Sequence, residues 1–117
     1  MSSGGARPMK SREAALMSAV LGVQFPGRTA LVDQLEHAVV RTLDQDGSIE
    51  FIVDGLKPAL VERRIPIEAQ WTDTDGAPVH ALLHVVNGLL SELEIYREDG
   101  ANVLSIPDPE CIDVILY

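Results

Sequence analysis

Two histidines spaced four residues apart are the residues of this sequence that most suggest chemistry. On a helix, His80 and His84 would lie on the same side and both could contact one metal ion. On a strand, their Cα atoms would be about 13 Å apart at ~3.3 Å per residue, too far for a shared ion. The segment favours a strand in which His84 faces Ser91, so we interpret both histidines as hydrogen-bonded side chains of the core face. We expect no metal site, because zinc sites take three or more protein ligands and no others converge on this pair.

Carboxylates form the second group of candidates. Glu92 and Glu94 lie on the same side of one predicted strand, and Glu68 is separated from Glu94 only by Ala81 on the strand between them. Paired carboxylates perform acid–base catalysis in glycosidases, where they line a cleft. Here they lie on a sheet face without a positioned partner, which favours a solvated face over an active site.

The remaining motifs are incomplete. Asp73-Thr74-Asp75-Gly76 begins like a calcium-binding loop, but no glutamate lies at or beside the twelfth position, where the neighbouring residues are Leu83 and Val85. Cys111 is the single cysteine and is interpreted as a small apolar residue of a C-terminal strand. The sequence lacks HExxH, GxSxG, Walker and GxGxxG motifs. We therefore assign no catalytic, cofactor-binding or metal-binding residue, and we do not expect an enzyme.

The histidines and glutamates belong to a stretch, Ile65 to Arg97, whose pattern predicts three consecutive antiparallel strands. Asn87-Gly88 between two apolar runs is a strong signal for a two-residue hairpin turn. Asp73 to Gly76 supplies the other turn, with Gly76 suited to the left-handed conformation. The first turn predicts that Val86 faces Leu89, His84 faces Ser91, Leu82 faces Leu93 and His80 faces Ile95. The second predicts that Ile67 faces Leu82, Ala69 faces His80 and Trp71 faces Pro78.

This register divides the side chains between two sheet faces. The face predicted to form the core collects Ile65, Ile67, Ala69, Trp71, Leu82, Val86, Leu89, Leu93 and Ile95. The other face carries an apolar stripe with a polar rim, and it is a candidate protein interface formed by Glu68, Val79, Ala81, Leu83, Val85, Leu90, Glu92, Glu94 and Tyr96. The alternative is an internal cover for that stripe, either residues 54–64 with Arg63 and Arg64 or the C-terminal segment CIDVILY.

Upstream of these strands, the pattern predicts two one-faced helices. Ser11 can N-cap a helix that ends near Gly22, and a second helix begins near Arg28 or Thr29. After Ala38, β-branched residues and a turn at residues 44–47 favour strand, turn, strand, with Arg41 opposite Glu50 and Val40 opposite Phe51. A helix that continues to residue 43 is the alternative for residues 38–43.

The predicted architecture is α+β, with two N-terminal helices packed on one face of an antiparallel β-meander of about five or six strands. Residues 1–10 are rich in Ser and Gly and are expected to form a disordered leader. Residues 11–117 are expected to form a single α+β domain, which is long enough for one hydrophobic core.

The net charge of −9 is concentrated in the second half of the sequence. Residues 1–64 contain eight basic and eight acidic side chains, whereas residues 65–117 contain ten acidic side chains and Arg97 alone. Such a field repels phosphate backbones and favours a basic protein surface or cationic ligands, so we expect no nucleic-acid partner. Solubility is a simpler explanation of the charge. No apolar run approaches the ~20 residues of a membrane span and no signal-peptide cleavage site is found, so we expect no membrane partner and a cytoplasmic location.

The segment FPGRTALVDQL, followed by DGSIEF, IPIEA, DTDG, LLHVVNG and ELEIYREDG, resembles small bacterial proteins, chiefly actinobacterial, of uncharacterised families. The resemblance spans most of the chain, but its motifs are turns and core strands. It therefore implies a fold and no particular chemistry.

The sequence as a whole favours a binding function without a cofactor. We expect a protein-binding or self-associating module, with a protein partner or a second copy of the chain on the candidate interface. One specific version is an immunity- or antitoxin-like protein whose acidic sheet masks a basic enzyme. The alternative is a small-molecule-binding protein or enzyme that uses His80, His84 and Ser91.

Overall fold

A computed structural model of the chain describes residues 5–117. Its helices are α1 (Ser11–Val20) and α2 (Arg28–His37), and a short 3₁₀ helix spans Pro109–Cys111. Its strands are β1 (Val39–Thr42), β2 (Ile49–Ile52), β3 (Ile67–Thr72), β4 (Pro78–Val86), β5 (Leu89–Arg97) and β6 (Asp113–Leu116). The strands form one antiparallel sheet in the order β1-β2-β5-β4-β3-β6. The predicted α+β class, with two N-terminal helices and about six strands, is confirmed.

The first turn of α1 is held by a charged cluster that involves the residues before it. The carboxylate of Glu13 accepts the backbone N–H of Lys10 at 2.8 Å and two N–H groups of Arg7 at 2.8 and 2.9 Å. The Arg7 guanidinium is the main cause of the lowered pKa of Glu13. Arg7 also exchanges two backbone hydrogen bonds with Val40, so it is ordered, unlike the disordered leader expected for it. The part of that leader at residues 1–4 lies outside the described residues.

Within residues 38–43, Val39–Thr42 form a strand, as the β-branched pattern predicts. β1 pairs with β2 so that Val40 lies opposite Phe51 and Arg41 opposite Glu50, with 2.9 Å between Arg41 Nη1 and Glu50 Oε1. The Asp44 carboxylate accepts the backbone N–H groups of Asp46 and Ser48 and closes the turn between the strands. The alternative of a helix continuing to residue 43 is wrong.

The hairpin between β4 and β5 has the predicted turn but contains a β-bulge. Asn87 and Gly88 both have positive φ, 53° and 78°, and Val86 lies opposite Leu89 as predicted. Beyond Leu90 the pairing shifts by one, because Ser91 has no partner in β4. His84 therefore lies opposite Glu92, Leu82 opposite Glu94 and His80 opposite Tyr96, so the predicted partners Ser91, Leu93 and Ile95 are wrong.

The connection between β3 and β4 is one residue shorter than the predicted loop of Asp73 to Gly76. The backbone N–H of Asp73 bonds the carbonyl of Ala77 at 2.8 Å, which leaves a three-residue connection containing Gly76 at φ 92°. Consequently Ile67 lies opposite Leu83, Ala69 opposite Ala81 and Trp71 opposite Val79. The predicted pairs of Ile67 with Leu82, Ala69 with His80 and Trp71 with Pro78 are wrong.

The two shifts together place β4 with the opposite face inward, because a one-residue slip moves every side chain to the other face. Leu82, Val86 and Leu89, predicted for the core, lie on the opposite face. Val79, Ala81, Leu83, Val85 and Leu90, predicted for the candidate interface, are buried in the core and at most 4 % exposed. With them are buried Leu16, Met17, Val20, Leu21, Leu31, Val40, Ile49, Phe51, Ile67, Ala69, Trp71, Leu93 and Ile95. The helices pack on this face, so the apolar stripe needs no partner protein.

Arg97 is the single Lys or Arg after residue 64. It is the last residue of β5, and its side chain is buried. Its guanidinium bonds the carboxylates of Asp73, Asp75 and Asp99 at 3.3, 2.9 and 2.6 Å. Its hydrogen bonds lower the pKa of Asp99 to about 2. The residues that resembled a calcium loop thus bind a guanidinium within the chain, a role that the sequence analysis did not predict.

Gln34 of α2 is fully buried and joins the helix to the β4–β5 turn. Its amide nitrogen donates to the carbonyls of Gly88 and Lys57 at 2.9 and 3.0 Å, and its oxygen accepts the N–H of Leu90 at 2.9 Å. β2 pairs with β5 at Glu92 and Leu93 and does not extend to the start of β5. The side chain of Gln34 therefore forms the hydrogen bonds that a strand would otherwise form with the backbone of Gly88 and Leu90.

The orientation of β4 can be tested with two neighbouring leucines. Leu83→Ala should reduce the free energy of unfolding by about 2–5 kcal/mol, because Leu83 is fully buried among core side chains. Leu82→Ala, the matched control on the other face, should reduce it by about 1 kcal/mol or less. Urea denaturation of both variants measures the difference, and a larger loss for Leu82→Ala would contradict the register.

Candidate functional site on the open face of the sheet

The face of the sheet opposite the helices, here called the open face, is polar and collects both histidines. Cross-strand pairing places the following residues on it: Val39, Arg41, Glu50, Ile52, Glu68, Gln70, His80, Leu82, His84, Val86, Leu89, Glu92, Glu94, Tyr96, Asp113 and Ile115. Of the candidate interface residues, Glu68, Glu92, Glu94 and Tyr96 lie here as predicted. The prediction that the histidines point into the core face is wrong, since both follow β4 in its reversed orientation.

His80 lies between two carboxylates. Its Nδ1 is 2.5 Å from Glu68 Oε2 and its Nε2 is 2.9 Å from Glu98 Oε1. The imidazole ring stacks on Tyr96, with 5.1 Å between ring centroids and 20° between ring planes. Since an ionised carboxylate can only accept hydrogen bonds, this geometry fits an imidazolium that donates from both nitrogens.

The charge of His80 depends on a balance between burial and these partners. Burial lowers its pKa and is the largest single effect, but the hydrogen bonds and charges of Glu68 and Glu98 together outweigh it and raise the pKa above the ordinary 6.5. For Glu68, burial likewise opposes ionisation, while hydrogen bonds from Tyr117, Gln70 and His80 lower the pKa. The hydroxyl of Tyr117 donates to Glu68 Oε1 at 2.5 Å, so the residue after β6 is tied to the same cluster.

His84 lies four residues after His80 on the same face of β4 and has a different environment. Arg64 Nε donates to His84 Nδ1 at 3.2 Å, and His84 Nε2 is 2.9 Å from Glu94 Oε1. Because a guanidinium only donates, Nδ1 must be the acceptor and Nε2 carries the proton. Glu92 completes the group, since one ligand atom from each of His84, Glu92 and Glu94 lies within 4.8 Å of the others. Glu92 and Glu94 thus converge on His84, whereas no further ligand was expected beside the pair of His80 and His84.

Arg64 reaches His84 because the connection between β2 and β3 runs beside β4. The carbonyl of Arg64 accepts the backbone N–H of Val85 at 2.7 Å, which continues the ladder beyond the start of β3. Arg64 therefore contacts His84 on the open face, and not the apolar stripe on the other face of the sheet, for which residues 54–64 are the alternative cover considered from the sequence. A shallow groove of about 560 Å³ lies alongside, lined by Arg63, Arg64, Ile65, Glu68, Leu82, Tyr96 and Tyr117.

The structure does not bring His80, His84 and Ser91 together as one site. His80 bonds Glu68 and Glu98, His84 bonds Arg64 and Glu94, and within residues 5–117 neither histidine bonds Ser91. Cys111, expected in the C-terminal strand, is exposed in the 3₁₀ helix before β6.

Sequence reasoning missed the carboxylate partners of both histidines, although a signal was present. Val79, Ala81, Leu83 and Val85 are apolar at every second position, and burying them turns His80 and His84 to the other face. In β5 the buried side chains Leu90, Leu93 and Ile95 include one step of three residues, which indicates the bulge. Glu98 and Tyr117 lie outside the strands, and no pattern in the sequence connects them with His80.

A family model described as a domain of unknown function (DUF6984) matches residues 6–107. The chain belongs to this family. The match includes both histidines and all of their charged partners named above, whereas β6 and Tyr117 of this DUF6984 chain lie beyond it. Searches of curated proteins and of solved structures found no match. None of the helices in residues 5–117 has the length and apolar character needed to cross a bilayer.

The charge of His80 predicts a pH dependence of stability. A folded-state pKa above 6.5 means that the contribution of His80 is complete below about pH 6.5 and is lost as the pH rises through the folded-state pKa. His80→Gln should therefore reduce the free energy of unfolding of the DUF6984 chain more at about pH 6 than at about pH 9. Urea titrations of both proteins measure this difference, and a reduction that is equal at the two pH values would show that the imidazolium is not stabilised.

Proposed function

We propose that this DUF6984 domain binds a partner protein through its open face and that the bound surface of the partner is basic. The observation that carries the proposal is the excess of carboxylates on a sheet face that the helices leave uncovered. Those carboxylates belong to Glu50, Glu68, Glu92, Glu94, Glu98 and Asp113.

The basic groups near this face do not balance its charge. Arg41 is paired with Glu50, Arg64 bonds His84, and His80 bonds Glu68 and Glu98, so these three basic side chains are fewer than the six carboxylates. Glu94 and Glu98 remain 44 and 62 % exposed at their side chains. An acidic surface of this kind attracts basic surfaces at long range and disfavours acidic ones, so it favours partner choice by charge.

Apolar and aromatic side chains among the carboxylates supply contact area for a partner. Tyr96, Val39 and Ile115 are 37–38 % exposed, and Tyr96 lies on β5, near the middle of the sheet. Tyrosine is enriched at protein interfaces because it combines a large apolar ring with a hydroxyl group. A partner could therefore bury Tyr96 while its basic side chains bond the surrounding glutamates.

A second copy of the chain fits this face less well than a basic protein. Face-to-face pairing of two copies would bring carboxylates against carboxylates, which is unfavourable. The apolar stripe that suggested a homodimer is buried beneath the helices. An immunity- or antitoxin-like role, in which the acidic face masks a basic enzyme, is the specific version that this charge complementarity supports.

The rival function, an enzyme or small-molecule binder that uses His80, His84 and Ser91, has less support. A hydrolytic site needs a nucleophile hydrogen-bonded to its base. The nitrogens of His80 are engaged by two carboxylates, and those of His84 by Arg64 and Glu94. A binding role uses the same charged groups without that requirement.

The open face can be tested with a decalysine peptide as a minimal basic probe. Titration followed by ¹H–¹⁵N NMR should shift the amides of β4 and β5, and Glu92→Gln/Glu94→Gln should weaken binding by about tenfold, since two charges meet the probe. Asp33→Asn/Glu36→Gln is the matched control, because it removes the same charge from exposed positions of α2.

Two outcomes would contradict the proposal. If both double variants weaken binding equally, the probe responds only to net charge. If shifts cluster on α2 or no saturable binding occurs at low salt, the open face is not the binding surface. Light scattering of the free chain separately tests self-association.

A further inference from the structure

The group of His84, Glu92 and Glu94 combines ligand types that divalent transition metals bind. It offers one imidazole nitrogen and two carboxylate oxygens, and these three atoms lie within 4.8 Å of one another. Two atoms bound to one tetrahedral zinc ion at the usual distances are about 3.3 Å apart. The 2.9 Å between His84 Nε2 and Glu94 Oε1 is already near this value. The ligand atom of Glu92 lies within 4.8 Å of both, so its side chain must rotate closer to complete the group.

The pairing of β4 with β5 brings these three side chains together. The bulge at Ser91 puts Glu92 directly opposite His84, and Glu94 lies two residues further along β5 on the same face. The histidine is largely buried, with 12 % of its side chain exposed, so it has few alternative rotamers. Glu92 forms no hydrogen bond or ion pair within residues 5–117, which leaves its carboxylate available.

We propose that His84, Glu92 and Glu94 form a binding site for a divalent ion of the zinc class. An imidazole with two carboxylates suits zinc, cobalt or nickel better than magnesium or calcium, which prefer oxygen ligands only. The remaining coordination positions would be filled by water. The site goes beyond the proposed binding function, and it requires no partner protein.

Arg64 competes with the metal in this arrangement. Binding through His84 Nε2 requires the imidazole proton to move, through solvent, from Nε2 to Nδ1, with no net loss of a proton. An Nδ1–H group cannot accept from Arg64 Nε, so the hydrogen bond at 3.2 Å must break. The guanidinium also repels the incoming cation. Metal binding therefore displaces the Arg64 side chain from His84.

Isothermal titration of the chain with zinc chloride, in a buffer without phosphate or chelator, tests the site directly. We expect saturable binding of one ion per chain, and a loss of affinity of about tenfold or more in His84→Ala and in Glu92→Gln. Asp113→Asn, on the same face but on the edge strand β6, and His80→Ala should change the affinity less than about twofold. Cobalt added in place of zinc should give a visible absorption spectrum that depends on His84.

The competition between Arg64 and the metal ion can be tested with two matched variants. Arg64→Gln should raise zinc affinity several-fold, whereas Arg63→Gln, which removes the same charge from the neighbouring position, should have little effect. Equal effects of the two would show charge repulsion without a specific role for Arg64. Absence of saturable binding, or binding that survives both His84→Ala and Glu92→Gln, would overturn the site. Decalysine is not used in these measurements, so their failure is distinguishable from failure of the proposed function.

Discussion

The side chains of β4 alternate between the buried and open faces of the sheet, and most of the described features depend on that alternation. Val79, Ala81, Leu83 and Val85 form the centre of the core between β3 and β5. Once they point towards the helices, the histidines between them must point away. The open face then places imidazoles beside carboxylates of both neighbouring strands, where each can form hydrogen bonds. Packing on one side of the sheet thus determines the chemistry on the other.

Much of the fold could be predicted from sequence because its signals are local. Turn residues such as Asn87-Gly88, the β-branched residues of β1 and the opposite charges of Arg41 and Glu50 identify elements and their neighbours. The register of β4 could not be obtained by extending pairs outward from the turns. The turn that begins at Asp73 is stabilised by bonds from Leu104, Ser105 and Arg97, which are remote in sequence. Likewise, the contacts of Glu98 and Tyr117 with the His80 cluster arise only in the folded chain.

The two histidines differ in protonation behaviour because their hydrogen-bond partners differ. His80 has a carboxylate at each nitrogen and a tyrosine ring beneath it, an environment that favours a cation. His84 has a donor at one nitrogen and an acceptor at the other, so its proton has a defined position on Nε2. The same sheet face therefore contains an imidazole with a raised pKa beside Tyr96 and an imidazole with a defined proton position beside Glu92. A partner that binds the face would meet these two environments side by side.

The bulge in β5 also has a consequence at the level of the gene. Ser91 is the extra residue of the bulge, with Leu90 paired to Val85 before it and Glu92 paired to His84 after it. Losing the codon for Ser91 would join two residues that are already in register, so the remainder of the strand would keep its inward and outward side chains. Losing a codon elsewhere within β4 or β5 would turn the following residues over. Variation in chain length among sequences with this fold should therefore be tolerated at position 91 and selected against at the neighbouring positions.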